Sequence, residues 1–147
     1  MHEHVPPKPA PGPCHCANLR RAARALSRRY DEALAPSGLG VSQYSLLRAL
    51  SRHEPATAAG LGAVMGLDRT TLVRNVALLS KQGLVVSAVD ASDKRSRKLR
   101  LTPAGSAALQ AATPLWEAAQ RALEADLGAD GRQALDAALA ALAGLGE

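Results

Sequence analysis

Basic, amide and hydroxyl side chains are concentrated in two short stretches of the chain, and their types suit contact with a nucleic acid. Arginine can pair with guanine through two hydrogen bonds, asparagine can pair with adenine, and threonine can touch the methyl group of thymine. The first stretch supplies Arg69, Thr70, Thr71, Arg74, Asn75 and Lys81. The second stretch supplies Lys94, Arg95 and Arg97, followed by Lys98. A narrow minor groove concentrates negative potential and attracts such cations. Taken singly, each arginine is more often part of a solvated surface, so the elements that carry them decide the interpretation.

The charge is distributed unevenly along the sequence. The 147 residues have a formal net charge of +5. Residues 1–102 contain 16 basic and 7 acidic side chains, whereas residues 103–147 contain 2 basic and 6 acidic ones. A basic body with an acidic end indicates a polyanionic partner for the body.

The composition favours a mainly helical chain. Hydrophobic residues make up 47% of the sequence, but aromatic residues only 2%, and phenylalanine is absent. The core must come from leucine, valine and alanine, of which leucine and alanine favour helices. The sequence therefore disfavours a β-sandwich or a β-barrel. The length suits one domain.

Apolar residues recur at three- and four-residue intervals in six segments, which predicts six helices. The expected helices cover 16–35, a segment capped by Ser42 that stops before Glu54, 58–65, 69–82, 103–127 and 130–143. Thr57 and Asp68 are the expected N-caps of the third and fourth helices, because their side-chain oxygens can accept hydrogen bonds from free amides. Pro114 is expected to bend the fifth helix or to mark a boundary, and Gly128 to break the chain.

One β-hairpin is expected between the fourth and fifth helices. Residues 84–89 and 98–102 are β-like and flank a polar loop, and leucine alternates with basic residues in the second segment. A short helix, a glycine turn, a capped helix and a hairpin with a basic tip, in that order, predict a winged helix-turn-helix. The expected fold class is thus mainly α with a small β-hairpin wing. The helices at 16–35, 103–127 and 130–143 lie outside the winged helix-turn-helix. Those helices carry apolar stripes that call for a two-fold partner.

The chain resembles the MarR family of bacterial winged-helix transcription regulators over residues 16–145. The resemblance rests on residues 66–75, on the Leu78-Leu79 to Gly83-Leu84-Val85 segment, and on Asp90-x-x-Asp93-Lys94-Arg95 followed by a Leu-x-Leu-Thr-x-x-Gly segment at 99–105. It implies a homodimer that binds a pseudo-palindromic double-stranded DNA operator, usually as a repressor released by a small ligand or by oxidation. It also implies that Asp93 orients Arg95 in the wing, while Lys94 stands where the family often has arginine.

The expected domain organisation follows from these elements. Residues 1–15 form a flexible arm rich in proline and histidine. Residues 16–147 form a single domain, with dimerisation helices at about 16–35 and 103–145 and the winged helix-turn-helix at about 42–102.

Both cysteines lie just before or within the start of the first helix. A helix N-terminus favours a thiolate, so Cys16 is a candidate redox sensor and Cys14 a candidate resolving thiol. The organic-hydroperoxide-sensing branch of the MarR family has a reactive cysteine at this position with tyrosines nearby. Cys16 matches that cysteine, and Tyr30 and Tyr44 match two of the tyrosines. The resemblance to this branch is partial, because Arg20 and Val41 replace other tyrosines.

Three alternatives for the N-terminal cluster and for the signal stay open. Cys14, His15 and Cys16 could bind a soft metal or metalloid, although their spacing is not that of a structural zinc site. The same residues could be incidental. A small aromatic or anionic ligand could instead act through a pocket lined by Arg20, Arg24, Arg48 and His53.

The sequence also bears on enzymatic activity, cofactors and membrane association. We find no zinc-protease motif, phosphate-binding glycine loop or serine elbow, so we expect no enzymatic activity and no required cofactor. No apolar run suggests a membrane span, and we expect a cytoplasmic protein. A non-specific architectural DNA-binding protein is the remaining alternative to a sequence-specific regulator.

Overall fold

The computed structural model describes residues 11–93 and 95–146. Residues 1–10 of the expected arm and the candidate contact residue Lys94 lie outside this range. The elements, in chain order, are α1 (His15–Leu34), α2 (Val41–His53), α3 (Ala58–Met65), α4 (Arg69–Lys81), β1 (Val85–Val89), β2 (Arg97–Leu101) and α5 (Pro103–Ala143). This order confirms the expected fold class.

Three helices begin at side-chain caps. Thr57 accepts a hydrogen bond from the Gly60 amide at 3.0 Å, and Asp68 accepts one from the Thr71 amide at 2.7 Å. Thr102 caps α5 in the same way. Each cap satisfies an amide that lacks a partner within its own helix. The predicted caps of α3 and α4 are therefore confirmed.

The start of α2 differs from the prediction. The N-cap is Gly40, two residues before Ser42, and α2 begins at Val41. The Gly40 amide donates to Gln43 Oε1 at 2.9 Å, and the Val41 amide donates to Asp31 Oδ1 at 2.7 Å. The amides at the start of α2 are thus satisfied by Gln43 and by a carboxylate of α1, and the Ser42 side chain does not cap the helix.

The helix-turn-helix is formed by α3 and α4. Gly66 joins them in a left-handed conformation with φ of 65°, which glycine adopts without steric cost. Leu61 of α3 and Leu72 and Leu79 of α4 are fully buried together with leucines of α2. This shared core fixes α4 relative to α2 and α3 and leaves its other side exposed.

The wing is a two-stranded antiparallel hairpin in which Val85 pairs with Leu101 and Val89 with Arg97. Leu99 is buried, and it also forms a β-bridge with Ala56, which the sequence analysis did not predict. This bridge attaches β2 to the segment between α2 and α3 and so anchors the base of the wing.

Helix α5 runs from Pro103 to Ala143 with one interruption. Gly128 has φ of 71° and ψ of 173°, which are not helical values, so the predicted break at this glycine is confirmed. Pro114 lies inside the helix and is not a boundary. Within the described residues, no helix is both long enough and apolar enough to cross a membrane.

The start of α5 lies against the loop that precedes β1. The Thr102 hydroxyl donates to the Gly83 carbonyl at 2.6 Å and accepts from the Gly105 amide at 3.0 Å. Gly105 is buried so closely against Leu84 that a Cβ atom there would overlap the Leu84 carbonyl oxygen. We refer to this contact as the Gly105 junction.

We predict that Gly105→Ala destabilises the protein by about 1–3 kcal/mol or more, because the added methyl group displaces backbone rather than a flexible side chain. Gly144→Ala is the matched control, since a Cβ at Gly144 meets nothing within 4 Å and φ is −66° there. Urea unfolding monitored by circular dichroism measures both free energies. Equal stability of the two variants would contradict the close contact at the Gly105 junction.

Candidate nucleic-acid interface

Asp68 organises the first turn of α4. Its Oδ1 accepts from the Thr71 amide, and its Oδ2 accepts from the Thr71 hydroxyl at 2.9 Å. The backbone hydrogen bond from Thr71, and then the hydroxyl hydrogen bond, hold the pKa of Asp68 below its ordinary value. A carboxylate at this position also interacts favourably with the positive end of the helix dipole.

The exposed side of α4 carries four of the six contact residues predicted on this helix. Leu72 and Leu79 are buried against the core, and four of the predicted residues are exposed to solvent. These are Arg69, Thr70, Arg74 and Lys81. Their guanidinium, hydroxyl and ammonium groups are free to meet a groove without any change in the helix.

Thr71 and Asn75 occupy a different side of α4 from these residues. Both are half-buried and line a cavity of about 260 Å³ with residues of α2, including Val41 and Ser45. The Thr71 hydroxyl proton is donated to Asp68. Thr71 and Asn75 therefore lie at the edge of the exposed surface rather than at its centre.

The tip of the wing is held by two aspartates. Asp90 Oδ1 accepts from the Ser92 amide and hydroxyl at 3.1 and 2.9 Å, and these two hydrogen bonds lower the pKa of Asp90. Asp93 Oδ1 accepts from the Arg95 backbone amide at 3.0 Å. The contact from Asp93 to Arg95 thus runs through the main chain, and it shapes the turn that presents the Arg95 side chain.

The cations of the wing differ in whether an acidic side chain lies close to them. Lys98 Nζ lies 3.8 Å from Asp90 Oδ2, so part of its charge is offset. Arg97 is exposed, and within the described part of the chain its guanidinium reaches the Ser87 hydroxyl, at 3.4 Å. Arg95 is also exposed. Among the described residues of the tip, Arg95 and Arg97 are the two cations best able to reach a partner.

The cysteine region is open to solvent. Cys14 is the N-cap residue of α1, and Cys16 lies in its first turn. Both thiols are free and exposed. Tyr30 lies fourteen residues after Cys16 on the same helix, which corresponds to about 21 Å along the axis. Cys16 and Tyr30 are therefore not brought together within one chain.

The two tyrosines have other partners. The Tyr30 hydroxyl bonds the Gln120 side chain of α5, and burial raises the pKa of Tyr30. The Tyr44 hydroxyl lies 3.2 Å from Thr113 Oγ1. Both tyrosines thus connect the N-terminal half of the chain to α5.

An aromatic and cationic stack between α2 and α5 was not predicted. The rings of Tyr44 and Trp116 are 5.6 Å apart and stacked, and the Arg48 guanidinium lies 4.1 Å above the Trp116 ring. These residues line a cavity of about 210 Å³ with Arg52 and His53. The spacing of Tyr44 and Arg48 on one helix was a visible signal, but their meeting with Trp116 depends on the fold.

Two other sets of predicted residues do not assemble in the described part of the chain. Arg48 and His53 share the cavity, whereas Arg20 and Arg24 are exposed on α1 and do not line it. Across residues 11–93 and 95–146, no three histidine, cysteine or acidic side chains are grouped so that they could hold a metal ion.

An exposed basic face on α4 and a basic wing define a winged helix-turn-helix of the kind that binds DNA. The model of the MarR family matches residues 37–96. The Mycobacterium tuberculosis transcriptional regulator MosR, solved in complex with DNA, is 41% identical, with 90% of this chain and 97% of that chain covered and a TM-score of 0.79. The chain belongs to the MarR family of transcription regulators.

Further relatives agree with this assignment. The transcriptional repressor CouR, solved bound to a 23-mer DNA duplex, is 30% identical, with 88% of this chain and 92% of that chain covered and a TM-score of 0.79. The organic hydroperoxide resistance transcriptional regulator of Bacillus subtilis is 29% identical over 62% of this chain. The chain spans 62% of the length of that regulator and 56% of the length of a Thauera aromatica relative.

Proposed function

We propose that this protein is a dimeric repressor that binds a pseudo-palindromic DNA operator and is released by a chemical signal. The observation that carries the proposal is the exposed basic side of α4, which Asp68 caps and the leucine core fixes in place. The similarity to MosR and CouR, both solved with DNA, supports it. Such binding needs no cofactor, and a DNA partner implies that the protein acts in the cytoplasm.

Each group of residues has a distinct role in this proposal. Helix α4 enters the major groove, where Arg69, Thr70, Arg74 and Lys81 contact base edges and phosphates, with Thr71 and Asn75 at the edge of the contact. Arg95 and Arg97 of the wing, with Lys94 between Asp93 and Arg95 in sequence, approach the adjacent minor groove. Asp93 shapes the turn that carries Arg95.

The dimer is supported by apolar surface on α1 and on the second part of α5. The exposed leucines in these segments are Leu19, Leu127, Leu139 and Leu142, and Leu145 lies just after α5. Apolar cavities lie between the two helices, and one of them, of about 360 Å³, is lined by leucines and alanines with Arg29 at its edge. A second copy would cover this surface, and its two-fold symmetry would match an operator with two half-sites.

We expect the protein to prefer the DNA upstream of its own gene over random duplex in a gel-shift titration, with the preference retained as salt is raised. Non-specific binding depends chiefly on phosphate contacts, and each neutralised phosphate contributes about −0.9 to the log–log salt slope. Random duplex of equal length is the control. Equal loss of binding to both duplexes would favour a non-specific architectural protein and contradict the proposal.

We predict that Arg74→Ala weakens operator binding by about 1–3 kcal/mol and relaxes the preference at one base pair of each half-site. Arg121→Ala, which removes an exposed arginine from α5, is the control for the loss of one positive charge. Titration against operators with single base-pair changes measures both effects. A uniform weakening across all sequences would make Arg74 a phosphate contact instead.

The signal we propose is an oxidant that acts at Cys16. The Cys16 thiolate would attack one oxygen of a hydroperoxide, so that an S–O bond forms while the O–O bond breaks. The cysteine becomes a sulfenic acid, and the departing alkoxide or hydroxide takes a proton from water and leaves as an alcohol or as water. The thiol is exposed in the first turn of α1, which permits this attack. The similarity to the Bacillus subtilis hydroperoxide resistance regulator supports this choice of signal.

We predict that Cys16→Ser binds the operator as the wild type does but is not released by organic hydroperoxide. Cys14→Ser is the matched control, because it removes the neighbouring exposed thiol and leaves Cys16 in place. Gel shifts before and after peroxide treatment, with mass spectrometry of the cysteines, measure the response. Release of Cys16→Ser by peroxide would contradict the proposal.

The same assay separates two other signals. Release by a soft metal ion that requires Cys14, His15 and Cys16 would indicate a metal-responsive regulator. Release of Cys16→Ser by a phenolic acid would indicate the cavity beside Trp116, where Arg48 and His53 could meet an aromatic anion. The aromatic and cationic stack around that cavity is the specific observation that favours this second signal.

A further inference from the structure

A narrow uncharged stripe runs along the exposed side of α4. Successive residues of an α-helix are about 100° apart, so Thr70, Val73 and Ala77 lie within about 60° of one another around the axis. All three are exposed, and each carries a methyl group on the side turned away from Leu72 and Leu79. The centre of the exposed side is therefore rich in methyl groups.

Cations border this stripe on both sides. Arg69 lies next to Val73 on one side, and Arg74 and Lys81 lie on the other. All three cations are exposed. This arrangement is electrostatically suited to a groove, because the cations can reach phosphates or guanine while the uncharged centre faces the base edges.

Val73 itself has no role within the described part of the chain that explains its position. Its exposed fraction is 51%, and it is absent from the residues that form or border the core. Valine is also a weaker helix former than alanine, because its β-branched side chain is restricted in a helix. An apolar side chain on a solvent-facing surface, between Arg69 and the Thr70 and Ala77 methyl groups, therefore suits contact with an apolar group of a partner.

We propose that Val73 determines specificity by contacting the C5-methyl group of a thymine in each half-site. This inference rests on the proposed DNA-binding function and deepens it. In the major groove, the thymine methyl is the apolar feature by which a base pair is distinguished, and aliphatic side chains recognise it. The apolar surface assigned to the dimer lies on α1 and α5, so it does not compete for Val73.

Operators in which single thymines are replaced by deoxyuridine test this inference, because the replacement removes only the methyl group. With the operator duplex found in the gel-shift titration, we expect one symmetric thymine pair at which the replacement weakens wild-type binding. The thymine methyl is about the size of one buried methylene group. Its loss is expected to raise the dissociation constant about fourfold for one half-site, and about fifteenfold when both half-sites are changed.

The variant Val73→Ala isolates the contact from any effect of deoxyuridine on DNA flexibility. We expect Val73→Ala to bind the thymine operator more weakly and to lose the difference between thymine and deoxyuridine at that position. Val86→Ala is the matched control, since Val86 is 49% exposed but lies on β1, where it pairs with Arg100. We expect Val86→Ala to retain the wild-type difference.

The possible outcomes separate this inference from the proposed function. Operator binding that is insensitive to every deoxyuridine, or an equal sensitivity in wild type and Val73→Ala, would overturn the role of Val73 and leave the regulator intact. Absence of any operator preference would overturn the proposed function itself. Val73→Thr, which keeps one γ-methyl group and the branched shape, should give an intermediate difference and guards against a folding defect in the alanine variant.

Discussion

The position of the long helix α5 relative to the helix-turn-helix depends on the Gly105 junction. There, one hydroxyl, that of Thr102, bonds the Gly83 carbonyl and caps α5, while Gly105 lies against the Leu84 backbone. Residues 83–84 lie between the C-cap of α4, Gln82, and the start of β1. The end of α4, the base of the wing and the first turn of α5 therefore share one set of contacts, and none can shift without disturbing the others.

A second set of contacts joins α1 to the middle of the same long helix. Arg29 Nη2 lies 2.6 Å from Asp126 Oδ2, and Tyr30 bonds Gln120. Because α5 is joined to α1 near its middle and to the wing at its start, a change at the N-terminus of α1 has a continuous physical connection to α4. This route matches the proposed order of events, in which modification of Cys16 alters binding by a helix far from it.

Features of the fold that depend on local interactions were predictable from the sequence, and features that depend on distant contacts were not. The caps at Thr57 and Asp68 and the break at Gly128 were predicted correctly, because each depends on residues three or four positions away. The start of α2 was wrong, since the Val41 amide is bound by Asp31, ten residues earlier on another helix. The bridge from Ala56 to Leu99 was missed because it joins segments that are distant in sequence.

In the candidate site, too, local spacing predicted some features, and others depend on how the helices pack. The helical repeat alone indicated that Arg74 and Lys81 face away from Leu72 and Leu79, and the structure agrees. It could not show that Thr71 donates its hydroxyl proton to Asp68, nor that Arg48 covers Trp116. Those two contacts depend on rotamers and on helix packing, which no spacing rule specifies.

The stacked Trp116 has an optical consequence. It is the only tryptophan in the 147 residues, so the indole emission of the protein comes from one position. That position lies under the Arg48 guanidinium, beside Tyr44 and at the wall of the cavity between α2 and α5. The intrinsic fluorescence of the native chain is therefore a label-free reporter of this cavity. The cavity lies between α2 and α5, away from the exposed side of α4.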